Sequence, residues 1–266
     1  MTAWVNDDWT EAPVIDARDR GFTLGDGLFE TILWDGARLR RFPRHVARLH
    51  ASAAALGLSP PPGGDRLGGV SEELLRRDGL QSAPAAVRIT WTAGIGDRGV
   101  LRPAVMRPVL VITAGAYAHP ATPAALVTST IRRNETAPSA RLKTLSYIDN
   151  TMARAEAAAQ GGDEAVLLNT RGRVAGGACC NIFIAKGGVV VTPPTTDGAL
   201  PGTFRAALMD ANPHIVERSI TAEELARAEA AFITNALHER RTVSQIDGRP
   251  LDADHALLKT LAAPAD

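Results

Sequence analysis

Apolar and polar positions along the first hundred residues switch between a strand period and a helix period. Leu28-Phe29-Glu30-Thr31-Ile32-Leu33-Trp34 reads as a strand, Asp35-Gly36 as a hairpin turn, and residues 37–42 as the returning strand. Pro43 suits a first helical turn and Gly57 a helix stop, with Val46, Leu49, Ala53 and Leu56 on one stripe. Residues 60–64 read as a loop, and 86–92 and 109–113 as further strands. Between these two strands lies a glycine-rich loop, Ala93-Gly94-Ile95-Gly96-Asp97-Arg98-Gly99.

The second half predicts a helix over 146–160, closed by Gly161-Gly162, and then short strands at 164–168, 181–185 and 189–192. A helix begins near Gly202 and another covers 222–228. A strand follows at 231–234, and Asp247-Gly248 marks a last hairpin. The pattern predicts an α+β protein of two domains. A small N-terminal α+β domain spans 1–116, a linker spans 117–123, and a larger barrel-like α/β domain spans 124–266.

Charge narrows the function classes. Lys+Arg and Asp+Glu are both 29, with no block of like charge, which argues against nucleic-acid or acidic-membrane partners. No apolar run is long enough to span a bilayer, and the first eight residues do not resemble a secretory leader. The two cysteines, Cys179 and Cys180, are adjacent, so neither a disulfide framework nor a zinc site is expected. A cytoplasmic protein without a metal is the expectation.

Only three of the 29 basic residues are lysine: Lys143, Lys186 and Lys259. Arginine carries surface charge equally well, but it cannot deprotonate near neutral pH and form an imine. Lys143, just ahead of the predicted helix in Arg141-Leu142-Lys143-Thr144-Leu145-Ser146-Tyr147, is therefore a candidate nucleophile; the alternative is a solvated helix-start residue. In Leu200-Pro201-Gly202-Thr203-Phe204-Arg205 the helix start offers backbone N–H groups to an anion, or is an ordinary loop junction. Thr234-Asn235-Ala236 is a polar strand end that fits turn chemistry as well as ligand contact. Arg48 lies off the apolar stripe of its helix and reads as surface, and Asn181 reads as a cap or turn residue.

Taken in order, these pieces resemble the class IV (fold-type IV) aminotransferases, which use pyridoxal 5'-phosphate. The resemblance covers nearly the whole chain. It is densest through Lys143-Thr144-Leu145-Ser146-Tyr147-Ile148-Asp149-Asn150, Asp163 to Asn169, Asn181-Ile182-Phe183, Thr192-Pro193-Pro194 and Leu200-Pro201-Gly202. The opening Asp19-Arg20-Gly21-Phe22-Thr23-Leu24-Gly25-Asp26-Gly27-Leu28-Phe29-Glu30 resembles the family too. The resemblance implies that Lys143 links covalently to the cofactor and later carries the proton at the substrate α-carbon. It implies that Arg48 binds the cofactor phosphate with the N–H groups of Gly202, Thr203 and Phe204. Asn181, Leu200, Thr234, Asn235 and Ala236 would also contact the cofactor, with Phe29 and Arg98 facing the substrate. It further implies a cofactor held between the two domains, amino-acid and 2-oxo-acid substrates, and a homodimer.

Two departures stand out. Relatives carry a glutamate in a Val-x-Glu-Gly-x-x-x-Asn segment, and here Gly176 takes its place in Val174-Ala175-Gly176-Gly177-Ala178-Cys179-Cys180-Asn181. That glutamate keeps the pyridine nitrogen protonated, and its loss would cost about 2–4 kcal/mol of barrier stabilisation. Phe204 stands where transaminases often place threonine and, with Thr234-Asn235-Ala236-Leu237, it resembles the aminodeoxychorismate lyase branch. Three readings follow: a transaminase acting on D- or branched-chain amino acids, a 4-amino-4-deoxychorismate lyase, and a cofactor-binding protein with little catalysis whose activity Gly176→Glu would restore.

Overall fold

The computed structural model describes residues 2–266, which divide into two compact units. The first unit extends to His119 and also takes in Lys143–Ser146. The second holds Pro120–Leu142 and Tyr147–Asp266. The chain thus returns to the first unit for one short segment, and Lys143 lies on it.

In the first unit, β1 (Ala3–Val5), β2 (Asp8–Thr10), α1 (Arg20–Leu24), β3 (Gly27–Trp34), α2 (Phe42–Leu56), α3 (Gly64–Arg77), β4 (Ala85–Thr92) and β5 (Leu110–Ala116) follow in order. The strands form an antiparallel sheet in the order β2-β1-β5-β4-β3. Along β4 the side chains alternate: Val87, Ile89 and Trp91 are buried, while Arg88 and Thr90 face the other way. Leu49 of α2 and Leu67, Leu74 and Leu75 of α3 are fully buried in the core. No expectation was attached to α3, whose Gly64, Gly68 and Gly69 weaken the helical signal.

The expected return strand at 37–42 does not form. Asp35 Oδ1 accepts from the N–H groups of Ala37 and Arg38, which closes the turn on itself. A single bridge, Trp34 to Leu39, is made before α2 begins at Phe42. The partner of β3 is instead β4, in register from Gly27↔Thr92 to Trp34↔Ala85. As expected, α2 opens with proline in its first turn and ends at Gly57 in the left-handed conformation.

The second unit runs β6 (Ala124–Arg133), α4 (Pro138–Arg141), α5 (Ile148–Ala159), β7 (Glu164–Asn169), β8 (Val174–Gly177), β9 (Asn181–Lys186), β10 (Val189–Thr192), α6 (Thr203–Ala211), β11 (Val216–Glu217), α7 (Ala222–Ala226), β12 (Ala230–Asn235), β13 (Glu239–Ile246), β14 (Arg249–Pro250) and α8 (Ala256–Lys259). Its sheet is ordered β11-β10-β9-β12-β13-β6-β7-β8, with β14 on β13. The edge strand β8 passes through only Ala178-Cys179-Cys180 into β9, which lies well inside the other half of that order. So short a link requires the sheet to curl towards a half-barrel. One side of the sheet buries Val166, Leu168, Ile182, Ile184, Ile233 and Val243. On the other side Phe183 stacks on Phe232 at 4.6 Å, in a cluster that includes Phe204 and Leu208 of α6. Mixed α+β architecture is therefore observed. Among the described residues no helix is long and apolar enough to cross a membrane.

Candidate active site

Backbone pairing delivers Lys143 to the first unit. Phe29 N–H donates to Lys143 O at 3.0 Å, and Leu145 N–H donates to Gly27 O at 2.9 Å, on either side of a Leu28–Thr144 bridge. Gly27 permits this approach, since a Cβ there would meet Trp91 O at 2.7 Å and Leu145 Cδ1 at 2.8 Å. The Lys143 Nζ then lies 4.1 Å from the centre of the Phe29 ring. Arg88 reaches the same ring, its Cζ 3.9 Å from the centre. The register explains this, because Phe29 pairs with Thr90 and Thr31 with Arg88, which sets Arg88 one diagonal step from Phe29. The Thr144 hydroxyl beside Lys143 is buried with no hydrogen-bond partner among the described residues.

The sequence reading missed Arg88. Its signal was an arginine in the middle of a strand whose neighbours are apolar or threonine.

Arg48 is not the solvated surface residue that its helical position suggested. Its Nε donates to Glu30 Oε1 at 2.8 Å and its Nη2 to Glu30 Oε2 at 2.5 Å. His45 Nδ1 donates to the same Oε2 at 2.7 Å, and Glu30 and His45 are both fully buried. Burial alone would raise the Glu30 carboxyl. The charge and hydrogen bonds of Arg48, with the His45 bond, outweigh it and hold the pKa at about 2. Burial lowers the basicity of His45 despite its bond to Glu30, so its ring is the neutral donor.

Arg98 lies elsewhere in the first unit. With Ala17, Arg18, Arg20, Gly96 and Asp97 it lines a cavity of about 300 Å³ whose wall includes neither Lys143, Phe29 nor Arg88. The buried Arg20 guanidinium holds this loop, donating to the carbonyls of Gly99, Val100 and Leu101 while its Nε pairs with Asp26.

In the second unit a separate set converges. Asn181 and Thr234 are register partners on β9 and β12. Asn181 Nδ2 donates to Leu200 O at 2.8 Å and so ties down the loop that enters α6. Gly202 is the N-cap of α6 and offers no side-chain cap; a Cβ there would collide with Asn181 Oδ1. Thr203 and Phe204 form the first turn, and the Phe204 ring is committed to the core, so it has only its backbone to offer a ligand. Asn235 Oδ1 accepts from the N–H groups of Leu237 and His238 at 2.9 Å, which folds Ala236 into a tight turn. The Thr234 hydroxyl is fully buried with no hydrogen-bond partner among the described residues. A helix start with no side-chain cap, a glycine where a side chain would collide and an orphaned hydroxyl fit an anion such as the phosphate of pyridoxal phosphate.

Gly176 sits on β8 opposite Leu167 with φ +144°, a backbone conformation that side chains disfavour. A Cβ there would lie 3.2 Å from Cys180 O. The acid on the neighbouring strand, Glu164, is buried and accepts from the N–H groups of Ala165 and Ala178 at 2.8 and 3.2 Å. Burial raises its pKa in spite of those bonds and of Arg154 nearby. Arg133, at the end of β6, is drawn below the ordinary arginine range by burial, which outweighs the opposing influence of Tyr147, Asp149, Cys179 and Cys180.

The family model for amino-transferase class IV matches residues 27–246, and the chain belongs to that family. Over 245 residues it is 29% identical to the branched-chain-amino-acid aminotransferase of Pseudomonas aeruginosa, covering 86% of this chain and 78% of that protein. Over 237 residues it is 27% identical to the aminodeoxychorismate lyase of Bacillus subtilis, covering 85% and 79%. The crystal structure of the branched-chain aminotransferase from Thermoproteus uzoniensis with norvaline superposes with a TM-score of 0.87 at 29% identity, covering 97% of this chain and 91% of that one. The protein is accordingly an enzyme of the class IV aminotransferase family.

Proposed function

We propose that the protein is a pyridoxal 5'-phosphate-dependent transaminase that moves an amino group between a small amino acid, of D- or branched-chain type, and a 2-oxo acid. The observation that supports this best is the placement of the Lys143 amine, 4.1 Å from the Phe29 ring that Arg88 also contacts. When bound, the cofactor supplies an aldehyde that condenses with amines and a ring that accepts the electron pair left at the α-carbon.

Lys143 would hold the cofactor covalently, and its amine would take and return the proton at the substrate α-carbon. Arg88 receives the substrate carboxylate, since a guanidinium fork matches that group and its Cζ lies 3.9 Å from the centre of the Phe29 ring that the Lys143 amine also contacts. Phe29 also excludes water from one side of the amine. For the phosphate, the α6 start at Gly202, Thr203 and Phe204 would supply backbone donors, with Asn181, Leu200, Thr234, Asn235 and Ala236 shaping that end; the family resemblance also assigns Arg48 to the cofactor. Gly176 places no carboxylate at its position, which lowers the rate by about 10²–10³ relative to a chain that has one. The working form is a cytoplasmic homodimer.

Addition of an amino acid alone tests the reading. A transaminase converts its visible absorbance stoichiometrically to that of the amine form of the cofactor, and a later 2-oxo acid restores it. An unchanged spectrum across D- and L-amino acids rejects the proposal.

A lyase reading is favoured by Phe204 together with Thr234-Asn235-Ala236. It predicts that pyruvate is released from 4-amino-4-deoxychorismate with no oxo-acid acceptor.

A further inference from the structure

Arg133, the last residue of β6, makes no hydrogen bond and no ion pair among the described residues. A guanidinium stays protonated near neutral pH, and burial has stripped this one of part of its hydration. The second unit thus holds a desolvated positive charge without a counter-charge in contact.

The groups that could pair with it are engaged elsewhere. Its register partner Asn169 donates to Asp197 O and accepts from the N–H groups of Arg171 and Arg173. Glu135, two residues on, is taken by Thr170 and Arg171. Asp149 on α5 is close enough to influence the charge but forms no ion pair with it. Two glycines complete the surroundings. Gly176 pairs with Leu167, two residues before Asn169, so it lies on the same face of the sheet as Arg133 and extends no side chain there. Gly198, at φ +94°, lets the Arg133 stem lie against the loop that leads to α6: a Cβ there would stand 3.2 Å from Arg133 Cδ.

We propose that Arg133 anchors a binding site for a small carboxylate. A guanidinium fork matches that group, and one carboxylate balances one guanidinium. A dianionic phosphate would add a second negative charge close to Asp149. Simple organic acids and 2-oxo acids share the chemistry that such a site selects. Its residues all belong to the second unit, so it stands whether or not the chain is a transaminase.

The exposed Cys179 thiol, near enough to influence the charge of Arg133, serves as the reporter. Iodoacetate and iodoacetamide alkylate a thiolate by the same displacement of iodide, but one carries a carboxylate and the other a neutral amide. Alkylation of Cys179 is followed by mass spectrometry in the full native chain and in the chain unfolded by denaturant. The ratio of the two rates cancels any change in the ionisation of the thiol itself. Iodoacetate is expected to gain at least about tenfold over iodoacetamide on folding, the range for a hydrogen bond to a charged group. Acetate or pyruvate is expected to remove that gain at an ionic strength where chloride does not. The more effective of the two shows whether a simple acid or a 2-oxo acid is preferred. Arg133→Gln is expected to return the ratio to its unfolded value, and Arg133→Lys to keep part of the gain, since the charge remains without the fork.

A ratio no higher in the native chain than in the unfolded one, a preference that survives Arg133→Gln, or equal protection by chloride overturns the proposal. The wild-type comparison decides the matter even if the variants do not fold.

Discussion

Lys143 and Phe29 are joined twice, once through the backbone, where Phe29 N–H meets Lys143 O at 3.0 Å, and once through their side chains at 4.1 Å. The first contact sets the position of the second. A lysine anchored by its own carbonyl to the start of β3 carries its amine to a fixed face of the sheet, and Arg88 is brought to that face by the β3–β4 register.

Replacing Phe29 tests that coupling. Phe29→Leu keeps an apolar side chain but removes the ring that both cations contact. Loss of two cation–π contacts and some packing is expected to cost about 1–3 kcal/mol of stability, read from denaturant unfolding. The lysine stays on its backbone anchor, so covalent cofactor attachment persists while kcat falls by at least about tenfold.

Arg88 and Arg98 separate in the same way. Arg88→Gln is expected to raise KM for the amino donor by about 10²-fold with an unchanged cofactor spectrum, the cost of leaving a carboxylate without its charged partner. Arg98→Gln, in a cavity without Lys143, is expected to change KM far less. Steady-state kinetics on both variants decide between them, and the reverse ranking would return the carboxylate to Arg98.

Gly176→Glu does not restore a missing carboxylate. At φ +144°, with Cys180 O in the path of a Cβ, any side chain strains the strand. The variant is expected to lose about 1–3 kcal/mol in thermal or denaturant unfolding and to gain no activity. A variant that is both stable and faster would show that β8 can adopt an ordinary strand conformation.

Acid stability follows from the Glu30 cluster. Glu30 has a folded pKa of about 2, well below its ordinary 4.5, so its contribution is complete above 4.5 and is lost as pH falls towards 2. His45 is held below 6.5, so the unfolded chain gains a proton that the folded chain refuses, and stability declines as pH falls through 6.5. Unfolding midpoints measured from pH 7 to pH 3 are expected to fall continuously, and Glu30→Gln should flatten the part below pH 4.5.

Much of this was legible in the sequence, and the parts that were not have physical reasons. Pro43 and Gly57 fixed the ends of α2 because each has only a few permitted conformations. The pairing of residues 37–42 could not be read from the Asp35-Gly36 turn, since the outcome depends on β4, fifty residues further on. The pattern also hid α3 behind its glycines and left β6, a strand paired in parallel on both sides, without a hairpin to announce it. At the site, Lys143 was marked by the rarity of lysine. Arg48 looked like a surface residue because helical periodicity says nothing about a buried carboxylate on a neighbouring strand. Arg88 became a candidate only once the register placed it beside Phe29.

The central claim is tested most directly by reducing the purified protein with borohydride and mapping the modified residue by mass spectrometry. A pyridoxyl group on Lys143 is the predicted result, with Lys186 at the end of β9 and Lys259 at the end of α8, paired with Asp254, unmodified. Modification of either of those two, or a native protein that releases all its cofactor unreduced, contradicts the account.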